Sequence, residues 1–482
     1  MKRTWIAAVA VAAVLAAGTA AQADLAGRIT AALAGKTSKP AGRIGVCVTL
    51  MPSGKVLFAQ RADELFVPAS NEKIITTASA LQQLGADFQF QTFFWADGTV
   101  ENGVLKGNLV VQGDGDPSIS GRFHNADVSY LPRTWAQILL KRGIRTITGD
   151  LILDDTLYDR QFTHTGWPTE QLGRWYEAPV GALSFNDSCQ NLVVSAAGGA
   201  VSVVSQPDAH YFNIINRAAV SSKGSRAPLV ITRKPGTLDI TVSGSRAANS
   251  GEETFFVPVD NPTAFFGASL AEEMKRAGIT LAGTVHPAKG PMGRVAANDK
   301  RIHIIHSSNL LDAVDVCNKN SQNFYAEMLF KRTGAKAFGT GTFETGAKAA
   351  GGFLQQVGIA PGTCVVSDGS GLSRDNRFSP RQFATVLGWA FNSSFADDFV
   401  DSLGVSGVDR TMRKRLNNPA YRGKVLAKTG TLDNVTALSG YAFNRGGEVL
   451  VFSILANETH GNWNARAIMD EICKALVDEP VN

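Results

Sequence analysis

Hydrophobic and polar positions repeat along this chain with two different periods, and the dominant period changes twice. Asp24 to Gly35 carries apolar residues at helical spacing. Arg43 to Leu50 is a β-type run, Pro52-Ser53-Gly54 a turn, and Lys55 to Gln60 a second strand. Pro68-Ala69-Ser70-Asn71-Glu72-Lys73 follows, and Ile74 to Leu84 is helical, with Gly85 as its stop. This places Ser70 at or near a helix N-terminus. From about Phe88 the texture becomes short β-rich runs between Gly and Asn/Asp turns: 90–95, 109–112, 150–153, 192–195, 201–204, 229–232 and 238–242, with one helix over 134–142. Helical periods return at Pro262 and predict helices over 262–278, 309–333 (one or two), 342–357, 380–391 and 464–477. Strands are predicted over 302–306, 435–443 and 448–456.

Strands and a helix at the start, matched by strands and a helix at the end, predict one α/β (α+β) domain split by an insertion. The expected architecture is an antiparallel sheet flanked by helices. Its first segment is 24–87, its second 263–482, and a large β-rich inserted region spans 88–262. A chain of 482 residues has room for such a division.

Composition narrows the function classes. Hydrophobic residues are 44% and charged residues 18%, which provides for real cores and excludes a disordered chain. The 47 Lys+Arg against 42 Asp+Glu are balanced and scattered, so nucleic-acid binding is not expected. Lys2 and Arg3, the apolar stretch Ile6 to Ala17 and the small-x-small site Ala21-Gln22-Ala23 predict a secretory leader, residues 1–23, cleaved after Ala23. The expected location is therefore periplasmic, with at most peripheral membrane association. Cys47, Cys189, Cys317, Cys364 and Cys473 are far apart, lack metal-ligand spacing and are expected to be small buried hydrophobes. The seven His residues are dispersed and no HExxH motif exists, so no metal and no cofactor are expected.

Three short motifs could carry chemistry. Ser70 and Lys73 form a Ser-x-x-Lys whose side chains share one helix face, so the amine, if neutral, can take the hydroxyl proton. A helix N-terminus also offers the Ser70 N–H to a developing oxyanion. Ser321-Gln322-Asn323 places a hydroxyl and a carboxamide two residues apart. Lys428-Thr429-Gly430-Thr431 combines a cation, two hydroxyls and a glycine beside which a substrate could lie. Taken singly, the first is a helix cap followed by a surface lysine and the second a helix cap, while the third is rarer by chance. In this order they are the signature of penicillin-recognising serine hydrolases.

The chain resembles the class C low-molecular-mass penicillin-binding proteins, the D-alanyl-D-alanine carboxypeptidase/endopeptidase family. The SxxK lies near the predicted mature N-terminus, and a long insert separates Ser70 from Ser321. That insert carries Gly113-Asp114-Gly115-Asp116-Pro117 and 176–186 (YEAPVGALSFN), and 368–377 (DGSGLSRDNR) lies downstream. Gln322 departs from the Asp that many relatives carry. The resemblance implies a β-lactamase/transpeptidase-like fold, with Ser70 as nucleophile, Lys73 as its base, and Ser321 with Lys428 relaying a proton. Asn323 would hold a substrate amide, and the N–H groups of Ser70 and Thr431 the oxyanion. Thr429, Gly430 and Thr431 would bind the terminal D-Ala carboxylate, with Ser370 and Arg374 lining the cleft. The implied function is an exported serine DD-peptidase that cleaves D-Ala-D-Ala, D-Ala cross-links in peptidoglycan, or both. Its implied partners are stem peptides and β-lactams. A β-lactamase on the same fold and a sensor acylated without turnover are the alternatives; the large insert argues against the first, the complete motif set against the second. For the Lys73 amine, a second cation, Lys428, is expected to help depress the pKa.

Overall fold

The computed structural model describes residues 18–35, 41–171, 173–221, 228–234, 236–248, 250–293 and 295–481. The leader's apolar core, Ile6 to Ala17, lies outside them, and of Ala21 to Ala23 only the backbone is described. Among the described residues no helix is long and apolar enough to cross a membrane.

The chain divides into two compact units. One takes the chain up to Phe88, the four residues His164–Trp167 and everything from Asn309 on; the other takes Gln89–Thr163 and Pro168–Ser308. In the first unit the strands are β1 (Arg43–Leu50), β2 (Lys55–Gln60), β3 (Gly404–Val405), β4 (Val425–Leu432), β5 (Val435–Phe443) and β6 (Val449–Asn457). They form one sheet in the order β3-β4-β5-β6-β1-β2, and every neighbouring pair is antiparallel. The helices are α1 (Gly18–Ala34), α2 (Glu72–Leu84), α3 (Leu310–Lys319), α4 (Asn323–Phe338), α5 (Phe343–Gln356), α6 (Pro380–Phe391), α7 (Ala396–Ser402) and α8 (Trp463–Asp478).

Alternation along the strands assigns the two faces of this sheet. Val425 and Ala427 of β4, Leu438 and Ala442 of β5, and Leu450, Phe452 and Ile454 of β6 pack with Leu25 and Ile29 of α1 and Ile468, Met469, Ile472 and Leu476 of α8. On the opposite face the Tyr441 hydroxyl donates to the Leu387 carbonyl of α6 at 2.8 Å. With both faces covered, all nine residues of β6 are buried, which accounts for its nearly unbroken apolar run. β3 covers β4 only at Leu426 and Ala427. The rest of β4, Lys428 to Leu432, is an open sheet edge among the described strands.

The sequence expectation put the second boundary at 262/263; the units divide at 308/309 instead. Pro262–Arg276 is a helix, as its spacing predicts, with Asn261 capping it and Pro262 in its first turn. Its apolar residues Phe265, Phe266, Leu270 and Met274 share a core with Trp135, Leu139, Leu109 and Leu153 of the second unit. The strands that follow then pair backwards: 280–281 with 146–147, and 285–287 with 151–154. Strand 302–309 lies beside 89–101 in the same sheet. A change of period marks where an element begins, and only strand pairing decides which core it joins.

The predicted helical span 309–333 is two helices. Ser321, with φ +56°, breaks the chain between α3 and α4. The hydrophobic cores set the scale of stability. Phe452→Ala removes a fully buried ring and should cost about 3–5 kcal/mol. Val204→Ala, at a position 50% exposed in the second unit, should stay within about 0.5 kcal/mol. Urea unfolding of both variants checks the contrast.

Candidate active site

Two strained turns and one strand bring the three motifs together. Pro68 and Ala69 lead into a single 3-10 turn, Ala69–Asn71, that continues as α2. Ala69 has φ +48°, rare for a residue with a side chain. The Asn71 side chain ties this turn to the sheet: its Nδ2 donates to the Lys428 carbonyl at 2.8 Å, and its Oδ1 accepts from the Ser439 hydroxyl at 2.7 Å. Across from it, the turn at Ser321 starts α4 with Asn323.

The Lys73 amine is the point of convergence. Its Nζ lies 3.0 Å from Ser70 Oγ, 2.7 Å from Asn323 Oδ1 and 2.6 Å from the Ser370 carbonyl. Lys428 Nζ donates to Ser321 Oγ at 2.8 Å and to the Thr429 carbonyl at 2.9 Å. Both amines are fully buried, while Ser70 is half-buried. The structure thus joins Ser70, Lys73, Asn323 and the Ser370 backbone in one cluster, and Ser321 with Lys428 in a second. Gly430 lies against the first turn; a Cβ there would come within 2.8 Å of the Pro68 carbonyl. Ser370 enters through its carbonyl, whereas its hydroxyl accepts from the Leu372 N–H at 3.3 Å. Arg374 donates to the Asp433 carbonyl at 2.8 Å, in the turn between β4 and β5. Thr429 and Thr431 share the strand face opposite Lys428 and Gly430.

Beneath Lys73 lies a group of acids that spacing did not reveal. Glu327, one turn after Asn323 on α4, accepts the N–H groups of Gly369 and Ser370 at 2.9 and 2.7 Å. It thereby sets the Ser370 peptide whose carbonyl meets Lys73. Asp368 accepts from Gly371 N, Ser373 N, Asn376 Nδ2 and Trp167 Nε1, a donor set suited to an anion. Glu72 is buried, and neither carboxyl oxygen has a hydrogen-bond partner among the described residues. Gly371, at φ +79°, permits this packing, because a Cβ there would lie 1.9 Å from the Ala69 carbonyl. The sequence signal for these acids was their position beside the motifs, Glu72 inside the SxxK and Glu327 four residues after Asn323.

Burial sets the electrostatics. It lowers the Lys73 pKa, against the opposing pull of Cys317, Glu327, Asp368 and Glu72. Lys428 is held well below the usual lysine range, first by burial and then by the Lys73 charge. The two lysines repel one another, which adds to burial at Lys428; burial is the leading cause at both amines. Glu327 is raised to about 8, chiefly by burial and then by Asp368. Burial also raises Glu72, with Asp368 and Glu327 adding to it. Cys317, against both lysines, is pushed to about 12 by burial and remains a thiol. All five cysteines are free, and only Cys364 is not buried.

Comparison with known proteins places this geometry. Residues 28–478 match the D-Ala-D-Ala carboxypeptidase 3 (S13) family. A D-alanyl-D-alanine carboxypeptidase of Actinomadura sp. (strain R39) is 33% identical over 450 residues, covering 90% of this chain and 81% of that protein. The D-alanyl-D-alanine carboxypeptidase DacB of Haemophilus influenzae is 26% identical, over 85% of this chain and 84% of its own. The crystal structure of penicillin binding protein 4 (dacB) from Haemophilus influenzae superposes with a TM-score of 0.78 at 24% identity, covering 92% of this chain and 97% of that one. The shared fold is β-lactamase/transpeptidase-like.

The acids beneath Lys73 yield a directional test. The Glu327 charge raises the Lys73 pKa, so Glu327→Gln should move the Lys73 titration to lower pH. Lys428→Gln removes a neighbouring cation and should move it to higher pH. A ¹³C NMR titration of protein labelled at the lysine ε-carbon reads both shifts.

Proposed function

Because the chain belongs to the D-Ala-D-Ala carboxypeptidase 3 (S13) family, we propose that it is an exported serine DD-peptidase working through a Ser70 acyl-enzyme. The observation that carries this reading is the three-acceptor setting of Lys73. A neutral amine has two N–H donors and one lone pair. With the donors spent on Asn323 Oδ1 and the Ser370 carbonyl, the lone pair is left for the Ser70 proton. Burial favours the neutral form.

In the proposed reaction Ser70 Oγ attacks the carbonyl of a D-alanyl residue as its proton passes to Lys73. The N–H groups of Ser70 and Thr431 stabilise the oxyanion. Lys428 donates into Ser321 Oγ, which turns the Ser321 hydroxyl proton towards the leaving nitrogen. The tetrahedral species then collapses: the C–N bond breaks, Ser321 protonates the amine, and Lys73 resupplies Ser321. Water attacks the resulting ester, with Lys73 again taking the proton; the acyl C–Oγ bond breaks, Lys73 returns that proton to Ser70 Oγ, and the D-alanyl peptide leaves as its acid.

Asn323 serves the amine through Oδ1 and also the substrate amide, while Thr429 and Thr431 face the substrate carboxylate. The open edge of β4 suits an extended peptide that pairs with it as an added strand. The leaving group is terminal D-Ala in a carboxypeptidase reaction, or the amine of a neighbouring stem in an endopeptidase reaction. β-Lactams would acylate the same hydroxyl, consistent with the Haemophilus influenzae relative solved "complexed with novel beta-lactam".

Benzylpenicillin should leave a penicilloyl adduct on the wild-type protein and none on Ser70→Ala, read by intact mass. Lys73→Ala should slow acylation by about 10²–10⁴-fold in a protein that still folds, checked by circular dichroism. An adduct mapped to Ser321 would overturn the assignment. Incubation with a D-Ala-D-Ala pentapeptide and, separately, with a cross-linked dimer apportions the two activities.

A further inference from the structure

We propose that Arg466 is the anchor for a free carboxylate on the residue that leaves, so that this site selects peptides whose scissile nitrogen sits α to an uncovered carboxylate. The inference rests on the reading above and adds a residue that none of the three motifs contains.

Arg466 lies in the first turns of α8, on the sheet face that Thr429 and Thr431 share. Its Nη2 donates to Thr431 Oγ1 at 2.8 Å. Thr431 spends its own hydroxyl proton on the Gly430 carbonyl, also at 2.8 Å. A threonine in this state accepts and has nothing to donate. A carboxylate arriving at Thr431 therefore finds its donor in the guanidinium behind the hydroxyl. Guanidinium has five N–H donors in a planar fork that matches a carboxylate, and only one is used on Thr431.

The charge also has no direct carboxylate partner. Asp470, one turn along α8, is held by Arg415, whose Nε and Nη2 lie 2.9 and 2.7 Å from its Oδ1. Among the described residues Arg466 makes no ion pair. Asp470 reaches Arg466 only through space, with Arg415 opposing it; an exposed arginine bound to a motif hydroxyl and directly paired with no acid is the arrangement of a cation kept for a ligand anion. Nearby, Arg374 and Asn462 occupy the Asp433 and Leu432 carbonyls at the end of β4. Those contacts cover the backbone acceptors that would otherwise repel an anion at this corner.

The consequence is selectivity between substrates that differ only at the carboxylate. Release of terminal D-Ala meets the requirement. So does hydrolysis of a cross-link whose acceptor nitrogen bears an α-carboxylate, whereas the amidated form of either substrate does not.

The test compares wild type, Arg466→Gln and Arg466→Lys on two substrates, a diacylated tripeptide ending in D-Ala-D-Ala and the same tripeptide with a C-terminal amide. Loss of one partner of a desolvated charge pair corresponds to a fall of about 30-fold or more. Arg466→Gln should lose about that much kcat/KM on the acid and stay within about threefold on the amide, with Arg466→Lys in between. Wild type itself should prefer the acid. If acid and amide fall together, Arg466 merely holds Thr431 in place and the proposal is wrong; if neither falls, it is wrong as well. A wild-type enzyme that forms the Ser70 acyl-enzyme but takes acid and amide equally also overturns it, while the serine reading stands. Absence of any acyl-enzyme in wild type would overturn that reading instead. Should Arg466→Gln fail to fold, the wild-type acid-to-amide ratio and the Arg466→Lys variant still decide.

Discussion

The structure depends on burying a primary amine. An ammonium removed from water without compensation is prohibitively unfavourable, so a buried lysine must either lose its proton or find charge and hydrogen bonds. Lys73 has some of each: burial drives it towards the neutral amine, three acceptors surround Nζ, and acids lie beneath it. Much of the local architecture follows from that. Ser321 breaks the helical span so that Asn323 can begin α4 facing the amine. Glu327 fixes the 369–370 peptide. Asp368 gathers four donors from the loop that follows and from Trp167, and Gly371 lets that loop pass against Ala69.

The elements of this fold were largely legible, because periodicity reports burial on one side. Strands 43–50 and 55–60 and helix 380–391 have the bounds their patterns predict. The helix from Pro262 was also readable, since Asn261 and Pro262 are local start signals. Its membership was not, because its core partners Trp135 and Leu153 lie more than a hundred residues earlier. Motif order drew Ser70, Lys73, Ser321, Asn323 and Lys428 together; the geometry joins Ser70, Lys73 and Asn323 in one cluster and Ser321 with Lys428 in another. The carboxyl groups of Glu72 and Glu327 were not foreseen, since a lone acid on a helix reads as solvated surface. Nor was Arg466, whose connection to Thr431 arises only when α8 folds back along the sheet.

The two lysines show how similar side chains acquire different tasks from their surroundings. Lys73 has acids near it and a hydroxyl, a carboxamide and a carbonyl as acceptors. Lys428, on a central segment of β4, has a hydroxyl and its neighbour's carbonyl, with Lys73 as the nearby amine. Different surroundings are how one cleft can hold two like groups for the two roles proposed above, a base and a proton relay.

Glu72 makes this arrangement costly to the fold that contains it. A carboxyl in the dark interior with neither oxygen bonded contributes nothing to cohesion, and a well-packed apolar side chain of similar shape would hold that helix turn more tightly. The first turn of α2 is therefore a weak place in an otherwise dense unit. Variants selected only for heat tolerance would be drawn to it, and would gain robustness by loosening the electrostatic balance around the adjacent lysine. Packing and the charge balance around the lysine are set against one another at a single buried position.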